Sequence, residues 1–181
     1  MAEGLPWDWE TFPEYLNALD ARPRDIDVGA YLPHSPLRVY AMGQRGADRE
    51  PATEDDLQRM KAIAREAMEA GAMGFATSRL FIHRTRDGDS IPSYDASENE
   101  LRAVVSGMRE AGRGTIQMVM NAQQRSWSEE IALLSRLAKE SGRPATFTLG
   151  TSNQPSNEWR AALALVGKSK EEGASITAQV F

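Results

Sequence analysis

Helical segments that end at a glycine, each followed at once by a short apolar run, recur along this sequence. The predicted helices begin near Thr53, Ser97, Ser126 or Ser128, and Ser156, and they end at Gly71, Gly112, Gly142 and Gly173. Small polar side chains accept hydrogen bonds from the free N–H groups at a helix start, and glycine adopts the left-handed conformation that ends a helix. Ser97 and Glu100 also match the pattern of a reciprocal capping box. The recurrence predicts a chain of successive helix and strand units.

The apolar runs predict five short strands, at residues 27–32, 73–77, 115–120, 146–149 and 175–180. Because these runs are apolar or β-branched with little polar alternation, they are typical of parallel strands buried by helices. The predicted fold class is therefore α/β. Two architectures fit this pattern: an open doubly wound sheet and a (β/α)8 barrel of the TIM type.

The barrel is the better interpretation of the strand and helix pattern. No Gly-x-Gly-x-x-Gly motif and no P-loop accompanies the strands, which disfavours the nucleotide-binding forms of the doubly wound sheet. A complete barrel has eight strands and about 250 residues, whereas this chain has 181 residues. We therefore expect residues 1–181 to form one partial barrel segment with about five strands, whose open edges favour self-association.

Composition excludes several partners and chemistries. The chain has 21 basic and 26 acidic residues that alternate instead of clustering, and its net charge of -5 disfavours nucleic acid and anionic membranes as partners. No apolar run approaches the roughly 18 residues of a membrane span, so we expect a cytoplasmic protein. The absence of cysteine excludes disulfides, thiolate nucleophiles and cysteine zinc sites within these residues.

A histidine and a serine lie between two prolines where the first predicted strand ends, in the sequence PHSP at residues 33–36. Strand ends of this kind form the active face of a barrel. His34 therefore has two interpretations: a histidine that binds or orients substrate, or a turn histidine held between the prolines. Ser35 is expected to cap the following helix. The sequence offers Ser35 no partner base, so a serine hydrolase is weakly supported.

A long polar insertion follows the second strand, at residues 79–96. Insertions of this length after a strand commonly form lids or substrate loops. His83 lies within it and is interpreted either as a substrate contact or as a solvated loop residue. Further substrate-binding candidates follow the second, third and fourth strands: Ser78, Arg79, Asn121 and Asn153. Arg79 would pair with a substrate carboxylate or form a surface ion pair, and the asparagines would hold substrate by hydrogen bonds.

Three stretches of the sequence carry a family resemblance. They are LPWDWETFPEYLNALDARPRDIDVGAYLPHSPLRVYAMG at residues 5–43, GADREPATEDDLQRMKAIAREAMEAGAMGFATSR at 46–79 and SYDASENEL at 93–101. Together they resemble the central part of the amidohydrolase superfamily, in the branch of the N-acyl-D-amino-acid deacylases and D-aminoacylases. The resemblance implies a zinc-dependent hydrolase on a (β/α)8 barrel, acting on the amide C–N bond of a small molecule such as an N-acyl-D-amino acid.

The same resemblance bears on the metal. The family's early His-x-His, its cysteine and its late aspartate would lie outside residues 1–181. Two further histidine ligands would stand at strand ends that here hold Val119, or a neighbour, and Leu149 or Gly150. Because neither an apolar side chain nor glycine can ligate a metal, we expect zinc in the parent family, no stoichiometric zinc in this segment and no activity of the segment alone. The alternative is a non-catalytic βα scaffold, a binding or assembly module that has lost its metal ligands.

Overall fold

The computed structural model describes residues 7–150 and 158–180. Its helices in these ranges are α1 (Phe12–Asp20), α2 (His34–Met42), α3 (Gln44–Ala47), α4 (Glu54–Ala70), α5 (Glu98–Ala111), α6 (Trp127–Ser141) and α7 (Glu158–Glu171). Its strands are β1 (Tyr31–Pro33), β2 (Gly74–Ser78), β3 (Thr115–Val119), β4 (Ala145–Leu149) and β5 (Ile176–Val180). The α/β class is confirmed, and every predicted strand is found. The predicted helix start near Ser156 lies outside the described residues.

The strands form one parallel sheet in the order β1-β2-β3-β4-β5. Each strand lies beside the next strand in the chain, and right-handed crossovers between such neighbours place the connecting helices on one face of the sheet. A doubly wound sheet instead reverses its strand order and is covered on both faces. The order therefore identifies the barrel arrangement, and the sheet is open because β1 and β5 form its two edges.

The two faces of the sheet differ in composition, because alternate strand residues point to opposite faces. The face packed against the helices is apolar and buried, and it includes Phe75, Ile116, Met118, Phe147 and Ile176. The opposite face is uncharged and mostly more exposed, and it includes Ala76, Ser78, Gln117, Val119, Thr177 and Gln179. The hydrophobic core therefore lies between the sheet and the helices.

The first strand and the helix after it differ from their predictions. β1 begins later than predicted, at Tyr31, and α2 begins directly at His34 with Pro33 as its N-cap. No side chain caps this helix, so the predicted capping role of Ser35 is wrong. The Ser35 hydroxyl instead donates to Ser93 Oγ at 3.1 Å and accepts from the Ser93 N–H at 3.2 Å. These bonds tie α2 to the loop that follows β2.

Most other helix ends follow the sequence signals. Thr53 and Ser126 each cap a helix in a reciprocal capping box, with Asp56 and Glu129 as the respective partners. Gly142 ends α6 in the left-handed conformation, at φ 65°, which a residue with a Cβ adopts only with strain. Within the described ranges, none of the helices is both long and apolar enough to cross a membrane.

Candidate functional site

A cleft of about 260 Å³ opens at the carboxyl ends of β1, β2 and β3. Its hydroxyl and amide groups belong to Ser35, Thr77, Ser78, Ser93 and Gln117, and its apolar lining includes Pro33, Ile91 and Val119. In the part of the chain that the structure describes, His34 is the one ionisable side chain among the lining residues. Barrel enzymes bind their ligands at the carboxyl ends of the strands, so this cleft is the candidate site.

His34 lines the cleft but is only 1% exposed. Its Nδ1 lies 2.8 Å from Thr77 Oγ1, and its Nε2 lies 2.8 Å from Glu100 Oε1. Burial lowers the pKa of His34 despite the opposing effect of Glu100, so the ring is neutral. Because a carboxylate only accepts, Nε2–H donates to Glu100 and Nδ1 accepts from the Thr77 hydroxyl. Both nitrogens are thus engaged within the protein, which favours the turn-histidine interpretation, and a role in substrate binding stays a prediction.

Glu100 belongs to the first turn of α5 and is buried. The Ser97 hydroxyl accepts from the Glu100 N–H at 3.2 Å, as predicted. The Glu100 carboxylate, however, does not return to the backbone of Ser97, so the predicted capping box is wrong in its second half. The carboxylate lies against His34 instead, and one of its oxygens is 3.5 Å from Nε of Arg38. Glu100 therefore anchors the start of α5 to α2.

Arg79 directly follows β2 and is 5% exposed. Its Nε lies 3.2 Å from both carboxylate oxygens of Glu130, in the first turn of α6, and its Nη1 donates to the carbonyl of Ala96 at 3.2 Å. The surface ion pair that the sequence suggested is therefore wrong, because this pair is buried. It joins the end of β2, the end of the 79–96 loop and α6. These contacts engage Nε and Nη1, two of the three nitrogens with which Arg79 would bind a substrate carboxylate.

The two predicted asparagines have different outcomes. Asn121 is fully buried, its N–H donates to Glu130 at 3.4 Å, and its Nδ2 donates to Gln124 Oε1 at 3.2 Å. It does not line the cleft but lies behind it, beside the Arg79–Glu130 pair. Asn153 lies outside the described residues. A substrate contact from either asparagine remains a prediction.

Ser78 and His83, which were predicted separately, are hydrogen-bonded to each other, with 2.7 Å between Ser78 Oγ and His83 Nδ1. The His83 N–H donates to the carbonyl of Leu80 and closes a turn. This turn brings the imidazole back to the end of β2. The Leu80 N–H also donates to Ser78 Oγ at 3.3 Å. Ser78 lines the cleft, whereas His83 is exposed. The pair therefore connects the cleft with the solvent.

Sequence reasoning missed several polar residues of this region, among them Glu100, Glu130 and Gln117. Glu100 and Glu130 lie in first turns of helices, where glutamate is common because it complements the helix dipole. Nothing in the sequence distinguishes them from Glu98, which takes part in surface ion pairs. Gln117 lies inside β3 and lines the cleft, and its side-chain amide has no hydrogen-bond partner within the described residues. A glutamine within an otherwise apolar strand was the signal that could have found it.

The described residues do not fit a zinc site. Among residues 7–150 and 158–180, no group of three histidine, cysteine, aspartate or glutamate side chains could hold a metal ion. Val119 lines the cleft and Leu149 is buried, and neither side chain can ligate a metal.

Known proteins match most of the chain. The amidohydrolase family matches residues 3–178. An uncharacterized protein of Mycobacterium tuberculosis is 36% identical over 112 residues, which are 58% of this chain and 18% of that protein. The D-aminoacylase of Alcaligenes xylosoxydans xylosoxydans is 33% identical over 79 residues, which are 44% of this chain and 16% of that enzyme. The chain thus spans only a small part of the length of these curated relatives.

Solved structures share the fold. A structure of D-aminoacylase, determined to study the functional role of its binuclear metal center, superposes with a TM-score of 0.75 at 23% identity and covers 94% of this chain and 34% of that chain. The N-acyl-D-glutamate deacylase of Bordetella bronchiseptica, complexed with zinc and a phosphonate inhibitor, gives a TM-score of 0.74 at 22% identity, with the same coverage. At such identities the likeness concerns the fold, and it confirms the partial barrel.

Proposed function

Because the chain belongs to the amidohydrolase family, in its D-aminoacylase-like branch, we propose that it forms the substrate-binding part of a hydrolase that cleaves amide C–N bonds. The proposed substrate class is the N-acyl-D-amino acids. This choice is supported by the names of three relatives: a D-aminoacylase, an N-acyl-D-aspartate deacylase and an N-acyl-D-glutamate deacylase. The proposed catalytic domain is a barrel of which residues 1–181 are one segment.

One observation carries this proposal: an uncharged cleft lies at the carboxyl ends of three parallel strands. Its lining offers hydroxyl and amide groups, and burial keeps its histidine neutral by lowering the pKa of His34. The nearby guanidinium of Arg79 is already paired with Glu130. Since an amide carries no charge but needs hydrogen-bond partners for its C=O and N–H when it is buried, this lining suits the acylated nitrogen of the substrate.

Gln117 is the residue to which we assign amide binding. Its side chain offers both a donor and an acceptor, and neither has a partner within the described part of the chain. Two buried side-chain pairs hold the walls of the cleft, because His34–Glu100 fixes the end of β1 and Arg79–Glu130 fixes the end of β2. The role proposed for this segment is therefore to bind and orient the substrate.

Calorimetric titration of the 181-residue chain with N-acetyl-D-leucine and N-acetyl-L-leucine tests this role. We expect the D form to bind more tightly than the L form. Gln117→Leu should weaken binding of the D form by about tenfold, the effect of losing one hydrogen bond of ~1.4 kcal/mol. Gln58→Leu, on the exposed surface of α4, is the matched control and should bind as the wild type does. Equal binding by both Gln117 and Gln58 variants would contradict the assignment.

A non-catalytic scaffold is the second candidate function, and one observation favours it. His34 and Arg79, the two strand-end side chains that could act on a substrate, are both buried against carboxylates. In a scaffold the cleft binds its small molecule without turnover. Release of the free D-amino acid by the full-length protein that contains this chain supports the hydrolase, whereas binding without release supports the scaffold.

A further inference from the structure

Ser78 and His83 bring a hydroxyl and an imidazole together at the cleft, and amide binding by Gln117 leaves both unused. We propose that Ser78 is a nucleophile, that His83 is its general base, and that the chain forms a covalent acyl intermediate on Ser78 with small carboxylic esters. Three observations carry this proposal: the 2.7 Å contact between the two side chains, the position of Ser78 on the cleft wall and the unpartnered amide of Gln117. It does not rest on the amide hydrolysis proposed above.

The hydrogen bonds around Ser78 Oγ are compatible with transfer of its proton to His83 in one tautomer of the imidazole. A serine hydroxyl has one proton to donate and two lone pairs that accept. The Leu80 N–H donates to Oγ at 3.3 Å and therefore occupies a lone pair. With the His83 proton on Nε2, Nδ1 is an acceptor 2.7 Å from Oγ, and the hydroxyl proton lies between them. A hydroxyl that donates to an adjacent imidazole is the arrangement that activates a serine.

Hydrogen-bond donors also lie where negative charge develops during the attack of Ser78 on the ester. The Leu80 N–H points at Ser78 Oγ and stabilises it as the proton leaves. Ser78 is paired with Val119 in the sheet, so Gln117, two residues earlier on β3, lies on the same face and diagonally next to Ser78. Its free amide N–H can donate to the carbonyl oxygen of a bound ester, as oxyanion-stabilising groups do.

The shape and charge of the cleft limit the ester to a short, uncharged one. A volume of about 260 Å³ lies just below the range of roughly 300–1,000 Å³ that drug-sized ligands occupy. Ile91 and Val119 give the cleft an apolar lining for a small acyl group. His83 is exposed beside it, so the leaving alcohol and the incoming water can reach the base from the solvent.

The proposed reaction balances without a further reactant. Ser78 Oγ forms a bond to the ester carbonyl carbon while its proton passes to His83 Nδ1. The bond between the carbonyl carbon and the alkoxy oxygen then breaks, and the leaving alcohol takes the proton from His83. A water molecule gives its proton to His83 and attacks the acyl carbon, and Ser78 leaves as the free hydroxyl after the proton returns to it. The net change is an ester plus water giving an acid plus an alcohol.

Covalent labelling of the 181-residue chain tests the pair. We expect a small alkyl fluorophosphonate to add one label per chain, which peptide mass spectrometry assigns to Ser78, and p-nitrophenyl acetate to give an initial burst. Ser78→Ala should abolish both signals. His83→Ala should slow labelling by about 100-fold or more, the usual contribution of a general base, and added imidazole should restore part of the rate. Ser90→Ala, in the same loop but outside the cleft, should react as the wild type does.

A purely structural Ser78–His83 bond, one that only holds the 79–96 loop, predicts a different result. His83→Ala would then leave any labelling unchanged, and imidazole would restore nothing. Each of three results overturns the proposal: unchanged labelling in His83→Ala, a label on a residue other than Ser78, or no label on a folded chain. Should Ser78→Ala fail to fold, Ser78→Cys keeps a nucleophile in place. Its alkylation by iodoacetamide must then be faster with His83 present than in the Ser78→Cys, His83→Ala double variant.

Discussion

The β1–β2 half of the sheet and its β4–β5 half are built from the same strand and helix units, but their carboxyl ends differ. At the ends of β1 and β2 a histidine or an arginine is buried against a glutamate from the first turn of a helix, as His34 with Glu100 and Arg79 with Glu130. At the end of β5, in contrast, Val180 is 66% exposed. The cleft lies in the half that carries the buried pairs.

The buried pairs link one unit to the next, which explains why they accompany the cleft. Each glutamate lies on the helix that follows the neighbouring strand: Glu100 on α5 after β2, and Glu130 on α6 after β3. A pair therefore fixes the loop of one unit against the helix of the following unit. Glu158, in the first turn of α7, is exposed and makes no such link among the described residues. A glutamate in the first turn of a helix is buried in one half and exposed in the other.

The largest difference in stability between the two halves is expected from Glu130→Ala. Removing the carboxylate leaves the guanidinium of Arg79 buried without its partner, which costs about 3–5 kcal/mol for buried pairs. We expect the free energy of unfolding, measured by urea denaturation, to fall by this amount. The matched change in the other half, Glu158→Ala, should leave the urea midpoint almost unchanged because its side chain is exposed.

A double variant separates a lost ion pair from lost packing. Arg79→Met together with Glu130→Leu replaces both charges by apolar groups, and such replacements of buried pairs are often neutral or stabilising. We therefore expect the double variant to regain most of the stability that Glu130→Ala loses. Equal losses of unfolding free energy in Glu130→Ala and Glu158→Ala would show that the two halves do not differ in the role of these glutamates.

A smaller effect on the free energy of unfolding is expected from pH, through the buried His34–Glu100 pair. Burial lowers the pKa of His34 in the folded protein, whereas an unfolded histidine titrates near 6.5. Between the folded pKa and about 6.5 the unfolded chain binds more protons, so the folded state loses stability as the pH falls through this window. The slope is at most about 1.4 kcal/mol per pH unit. Urea denaturation at pH 7.5 and at pH 5.5 measures it.

One variant assigns this pH dependence. His34→Asn removes the titrating group, so its stability should change less between the two pH values than that of the wild type. A wild-type slope that survives in His34→Asn would show that another group controls the stability in this window.

The repeated units were predictable from the sequence because their signals are local. Capping residues such as Thr53 and Ser126 and helix-ending glycines act on their own helices, so the α/β class and the partial barrel followed from the pattern. The pairs of the cleft were not predictable, because Glu100 and His34 are far apart in sequence and meet only through the sheet. The Ser97–Glu100 pattern even indicated a capping box, since a first-turn glutamate looks the same in sequence whether it caps its helix or accepts a hydrogen bond from a buried histidine.

The open half of the sheet predicts association with a second copy of the chain. β5 offers unpaired N–H and C=O groups along an edge that is exposed from Gln179 to Val180, and exposed edges of this kind pair with one another. We expect light scattering at micromolar concentration to give a mass above the 20.0 kDa of one chain. Val180→Lys, which places a charge at this edge, should raise the dissociation constant by about tenfold. A monodisperse 20.0 kDa species that melts cooperatively would contradict the prediction.

Zinc is expected to have no effect on the melting temperature of the chain, because of where the two histidines lie. Both histidines of the chain belong to the β1–β2 half: His34 has its two nitrogens on Thr77 and Glu100, and His83 contacts Ser78. A structural zinc site needs four ligands, and zinc could recruit His34 only by displacing Thr77 from Nδ1 or Glu100 from Nε2. Metal analysis after dialysis against zinc should therefore find far less than one zinc per chain, and the melting temperature should not change. About one zinc per chain with a raised melting temperature would mean that residues outside the described ranges complete a site.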